Sequence, residues 1–121
     1  MNTDGVPHRS LRKARAADTL VMSQSVFDEV SDVLHRPGLQ RFVDPALRAD
    51  VLDQLISGTI WFAPTREVTD CRDPKDNKYL ELALEAQAGL IVSSDADLLV
   101  LHPWRRIPIL RPAAYLGGTG R

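Results

Sequence analysis

The chain has 121 residues, enough for one domain with an ordinary core. Its formal net charge is −1, so no global positive field draws it onto nucleic acid, and any such contact must come from local basic clusters. A single cysteine, Cys71, excludes an intrachain disulfide. No apolar run approaches the roughly 20 residues of a membrane span, and the N-terminus carries no signal-type stretch, so a cytoplasmic protein without membrane contact is expected.

In chain order, residues 7–17 read as a helix with Pro7 in its first turn and a basic run of His8, Arg9, Arg12, Lys13 and Arg15. The apolar run 19–23 (TLVMS) reads as a buried strand. A helix follows from Ser25, with Asp28 three residues on as in a capping box and Val26, Val30, Val33 and Leu34 as its stripe. Pro37 and Gly38 end it. Asp44 and Pro45 open the next helix, which Ser57 and Gly58 close. Residues 60–63 (IWFA) form the second strand, with Trp61 expected in the core, and 64–75 form a polar loop. A helix over 76–88 ends at Gly89. Residues 90–93 (LIVS) form the third strand, 94–101 a short helix capped by Ser94 with Asp97 three residues on, and 107–111 (IPILR) the last strand. Pro108 within that strand argues for a sheet edge, and Trp104 is expected at the surface. A final helical turn covers 112–116. The domain is expected to span 1–116, with 117–121 as a loose tail.

Strands separated by helices predict an α/β fold with a parallel sheet and right-handed crossovers. Ligands of such sheets lie at the carboxyl ends of the strands. Asp95 follows the third strand, and Glu29 lies early in the helix leaving the first. Asp73 and Asp76 precede or begin a helix that runs antiparallel to the strands, and Asp97 lies one turn beyond Asp95. These carboxylates are expected to converge at one edge with no Lys or Arg among them. Like charges that close repel unless protons or a cation neutralise them. Mg²⁺ suits an all-oxygen donor set, which points to metal-assisted phosphodiester hydrolysis. The same residue types also cap helices, which is the commoner reason for any one of them. The basic run, with Arg9, Arg12 and Lys13, either contacts RNA phosphates or forms a solvated helix face. His8, His35 and His102 show no metal-ligand spacing, and Cys71 reads as a structural thiol.

The segments CRDPKDNKYLELA (71–83) and AGLIVSSDADLL (88–99) resemble the PIN-domain family. The branch they are similar to is the toxin component of bacterial toxin–antitoxin pairs. SQSVFDEVSDVLHRPGLQRF (23–42) and GVPHRSLRKA (5–14) are similar to the same branch, and the resemblance runs from about 5 to 116. It implies a three-layer α/β/α Rossmann-like sandwich and a ribonuclease dependent on Mg²⁺ or Mn²⁺. An antitoxin, RNA and a second copy of the chain are the implied partners. It implies Glu29, Asp76 and Asp95 as catalytic metal ligands, Asp97 as a further ligand, and Ser93 and Asp73 in support. The family begins with a central strand ending in an Asp that ligates metal; here residues 1–5 lead straight into the first helix, and Asp4 is a weak substitute without a strand to hold it. Loss of that strand would divide the sheet into the pairs 19–23 with 60–63 and 90–93 with 107–111, since buried backbone donors need partners from slippage or a borrowed strand. The expected origin is a start codon assigned too late, with in-frame codons ahead of Met1 encoding an apolar strand and an Asp. A catalytically inactive remnant that serves as a protein-binding module is the alternative function. A flavodoxin-like receiver is a third, but it wants an acceptor Asp after the first strand, where Ser23, Gln24 and Ser25 stand.

Overall fold

The structure is a computed structural model that describes residues 6–36 and 44–117, without the side chains of Val6, Pro7, His8 and Arg15. Asp4, the helix stop at Pro37 and Gly38, and the tail beyond 117 lie outside the described residues. The elements are α1 (Val6–Ala17), β1 (Val21–Met22), α2 (Gln24–Leu34), α3 (Pro45–Ile56), β2 (Ile60–Trp61), a 3₁₀ turn (Pro74–Asp76), α4 (Asn77–Ala86), β3 (Ile91–Val92), α5 (Ala96–Leu99), β4 (Ile109–Leu110) and α6 (Pro112–Gly117). All four predicted strands occur, each shortened to two residues. No helix among the described residues is long and apolar enough to cross a membrane.

The strands pair as two parallel ribbons. β1 pairs with β2 in the register Val21–Ile60, and β3 pairs with β4 in the register Ile91–Ile109. Among the described residues the ribbons do not pair with each other. Each has its own buried cluster. Val68, Cys71, Leu98, Trp104, Ile107 and Ile109 gather at the β3–β4 side, and Met22 and Val26 at the β1 side. Helix α4 supplies both, with Leu80 and Ala83 in the first cluster and Leu82 in the second. It is therefore the rigid body that relates the two halves.

Local chemistry explains where elements start. Asp44 caps α3, its carboxylate accepting from the Ala46 amide at 2.9 Å, with Pro45 in the first helical turn as expected. In α2 the cap is Ser23, not Ser25. Its hydroxyl accepts from the Val26 amide at 3.2 Å, while Asp28 accepts from the Gln24 side chain. The Ser/Asp spacing exists, but β1 ends one residue earlier than the pattern suggests and the cap moves two residues forward. Ser23 is almost wholly buried, so Ser23→Ala should cost about 1 kcal/mol in a urea melt, while Ser25→Ala should cost less than about 0.5 kcal/mol. Equal costs would contradict this cap. The short helix α5 is likewise capped by Asp95 rather than Ser94. Helix α4 starts at Asn77 and stops at Gln87, which takes the left-handed conformation (φ 52°) two residues before the expected Gly89.

The two tryptophans exchange their expected environments. Trp61 is 40% exposed because β2 shows both its residues to solvent; its ring meets Phe27 at 5.6 Å. Trp104 is 5% exposed, and its indole N–H donates to Asp70 at 2.8 Å. That bond satisfies the one polar atom of the buried ring. Helix α6 docks on α1 through Ser10 Oγ donating to the Pro112 carbonyl and Lys13 Nζ donating to the Tyr115 carbonyl.

Candidate metal centre

The loop between β2 and α4 is tied down residue by residue. Glu85 accepts from the Thr65 amide at 3.0 Å and Glu81 from the Val68 amide at 2.9 Å. Asn77 Oδ1 accepts from the Cys71 amide at 2.9 Å, and Asp70 holds the Trp104 indole. These bonds deliver Asp73 and Asp76 to the start of α4. Asp73 caps the 3₁₀ turn by accepting from the Lys75 amide at 3.0 Å. Cys71 is a buried thiol; burial pushes its pKa up, and its S–H donates to the Asp97 carbonyl at 3.5 Å. It is structural, as expected.

Asp73, Asp76 and Asp97 each offer an oxygen within 4.8 Å of the others. Asp76 is the buried member, 7% exposed, and its Oδ2 has no hydrogen-bond partner. Burial raises its pKa to about 6, aided by a hydrogen bond shared with Asp95 and by the charges of Asp95, Asp73 and Glu29. Asp95 therefore sits against Asp76. Its own Oδ1 accepts from the Asp97 amide at 2.8 Å, and its amide donates to Ser93 Oγ at 3.0 Å. Ser93 thus fixes the turn that aims Asp95.

Glu29 faces the same edge from α2, but it is not bare. It accepts from Lys78 Nζ at 2.6 Å and from the Tyr79 hydroxyl. Burial pushes the Glu29 carboxyl up, yet the Lys78 and Tyr79 hydrogen bonds outweigh it and hold the group below its ordinary value. Burial and Glu29 together push the Tyr79 hydroxyl far up, so it stays a donor. Asp97 also has a partner, the Arg72 guanidinium at 2.7 Å. The expectation of carboxylates without cationic neighbours is thus corrected at Glu29 and Asp97. Lys78 and Arg72 come from the same loop–helix junction as Asp73 and Asp76, and periodicity does not show which way they turn. The Arg72 side chain is 67% exposed, so its pairing is worth little and is readily exchanged. Asp76 keeps an unpaired oxygen.

An unpartnered carboxylate oxygen beside two further carboxylates is a site with too much negative charge for its donors. Hard divalent cations relieve such a set, and oxygen-only donors fit Mg²⁺ or Mn²⁺. A family model described as the PIN domain matches residues 11–97, which is more than half of the chain. This chain belongs to the PIN-domain family. PIN domains are generally nucleases and typically bind divalent metals, and the cluster of Asp73, Asp76 and Asp97 could hold one. Comparison with curated proteins and with solved structures gives no match. Of the residues predicted for the PIN site, the structure brings Asp73, Asp76, Asp95 and Asp97 together, with Ser93 behind Asp95. Glu29 joins them through the field it exerts on Asp76. Lys78, Tyr79, Arg72 and Asn77 were not singled out in the sequence; their partners lie up to 50 residues away. In the basic run, Arg9 and Arg12 are exposed on α1, and Lys13 donates to the Tyr115 carbonyl at 2.7 Å and lies 4.3 Å over its ring.

Proposed function

We propose that this PIN domain is an endoribonuclease of the toxin–antitoxin type, dependent on Mg²⁺ or Mn²⁺ and restrained by a cognate antitoxin. The observation that carries the metal dependence is the buried, unpartnered Oδ2 of Asp76 beside Asp73, Asp95 and Asp97. Asp76 and its neighbours would hold the cation, with Glu29 kept anionic at the rim by Lys78 and Tyr79. The bound ion would supply charge neutralisation, a more acidic water and stabilisation of charge on the phosphate. Ser93 keeps Asp95 aimed into the cluster. Arg9 and Arg12 are the phosphate contacts in this reading, since α1 runs into β1 and so begins at the carboxyl edge. The antitoxin rests on the likeness of residues 23–42 and 71–99 to that branch.

A second reading, a binding module without catalysis, is favoured by the engagement of Glu29 with Lys78 and Tyr79. The two separate on an end-labelled single-stranded RNA. The enzyme should yield internal fragments in millimolar Mg²⁺ or Mn²⁺ and none in EDTA. Intact RNA under both conditions, with the folded protein confirmed by circular dichroism, would establish the binding module instead.

A further inference from the structure

Trp104 and Ile107 exchange both backbone hydrogen bonds, at 2.9 and 2.8 Å, around a two-residue turn. Its central residues, Arg105 and Arg106, both have positive φ, 49° and 70°. That is the type I′ turn, which Asn and Gly fit and longer side chains resist. Two arginines therefore gain nothing for the turn itself, and backbone held against preference is a mark of function. The turn is anchored on both sides. The Trp104 indole donates to Asp70 at 2.8 Å, and His102 Nδ1 accepts from the Ile109 amide at 2.8 Å. The Arg105 guanidinium lies 4.7 Å over the Trp104 ring and meets Asp70 at 3.4 Å. That contact is long and its side chains are 50% and 40% exposed, so it is readily given up. Arg106 is exposed, and among the described residues its guanidinium has no ion-pair partner.

We propose that this turn is a clamp for the backbone phosphates of single-stranded RNA, with Arg105 and Arg106 as its two guanidiniums. A planar fork of donors matches a phosphate, and a rigid turn presents two forks with little ordering left to do. The anchor, Asp70, belongs to the loop that carries Arg72 and Asp73 to the metal centre. Asp70 and Asp73 are three residues apart, a span of at most about 11 Å. One short single strand can therefore reach both the turn and the acids. RNA as the ligand rests on the ribonuclease reading; the clamp itself is a matter of binding and does not need the metal.

The test uses the full chain and a fluorescein-labelled oligouridylate of about twelve nucleotides in EDTA, with binding read by fluorescence anisotropy. Arg105→Asn combined with Arg106→Gly supplies the residues that the turn prefers, so it should melt at least about 3 °C higher than wild type. The same variant should bind RNA at least about tenfold more weakly at low salt. Its log–log salt dependence should be shallower by about 1.4, the value for two phosphate contacts on a single strand. Arg36→Ser combined with Arg48→Ser removes the same charge elsewhere and should leave the affinity within about twofold. No binding by wild type up to about 100 µM RNA, unchanged affinity in the turn variant, or an equal loss in the Arg36 and Arg48 variant would each overturn the proposal. So would a turn variant that melts below wild type, or displacement of the RNA by oligoglutamate at equal charge concentration, which would mark an acidic protein as the ligand. RNA left uncut by wild type in Mn²⁺, with the binding results as expected, would strike the nuclease reading and uphold the clamp.

Discussion

Asp76→Asn should make the metal-free protein more stable, by about 2 kcal/mol at pH 7.5, while abolishing its response to divalent cations. Most substitutions of buried residues destabilise, so the sign is diagnostic. The wild-type carboxylate is buried, has one oxygen without a partner, and faces Asp95, Asp73 and Glu29. Its ionised form is opposed on every side, and a rise in pKa from 3.8 to about 6 corresponds to a penalty of roughly 3 kcal/mol at most. The amide of Asn carries no charge and donates to Asp95. A rise of roughly 8 °C in the melting temperature in EDTA is expected. In Mn²⁺ the wild type should gain stability by mass action and the variant should not. RNA cleavage by the variant should fall by at least about 100-fold, because the displaced charge is one the cation needs. A variant less stable than wild type in EDTA would mean that Asp76 is a paired structural acid.

The pH dependence of the metal-free protein carries the same physics with the opposite manipulation. Asp76 has a folded pKa above its unfolded value, so the folded state holds that proton more tightly. Below about pH 3.8 both states are protonated and the group contributes nothing. Between 3.8 and about 6 stability declines as pH rises, and above that the penalty is complete. Glu29 acts in the other direction. Its folded pKa lies below 4.5, so its stabilisation is present at neutral pH and is lost as pH falls through that low range. Denaturant melts in EDTA should therefore show a maximum near pH 4 and a loss of about 1.4 kcal/mol between pH 5 and pH 7.5. Saturating Mn²⁺ should remove the alkaline decline, and Asp76→Asn should flatten it. A wild-type profile that climbs steadily from pH 5 to 7.5 in EDTA would contradict the assignment.

The order of elements was legible because Pro, Gly and capping residues punctuate apolar runs of the right length. Asp44 with Pro45 is the clearest case, since both signals are local. Cap assignment failed by one or two residues at Ser23 and Asp95, where adjacent Ser and Asp residues offer equivalent donors and acceptors and only the strand end decides between them. The exchange of Trp61 and Trp104 has a different cause. An apolar run specifies a strand but not whether its face is covered, and the acceptor of the buried Trp104 indole, Asp70, is 34 residues away. The acidic cluster was legible because strand ends and helix starts share one edge. The neutralising groups were not, because nothing local shows that Lys78 and Tyr79 reach across to Glu29 or that Arg72 turns onto Asp97. That difference decides which acid matters most: Asp76 is the buried one, with an oxygen left unpartnered.

Isothermal titration of the metal-free protein with Mn²⁺ at pH 7.5 tests the central claim most directly. One saturable site is predicted, with proton release scaling with buffer ionisation and binding lost in Asp76→Asn. Absence of binding up to about 5 mM Mn²⁺, or unchanged binding in that variant, would contradict it.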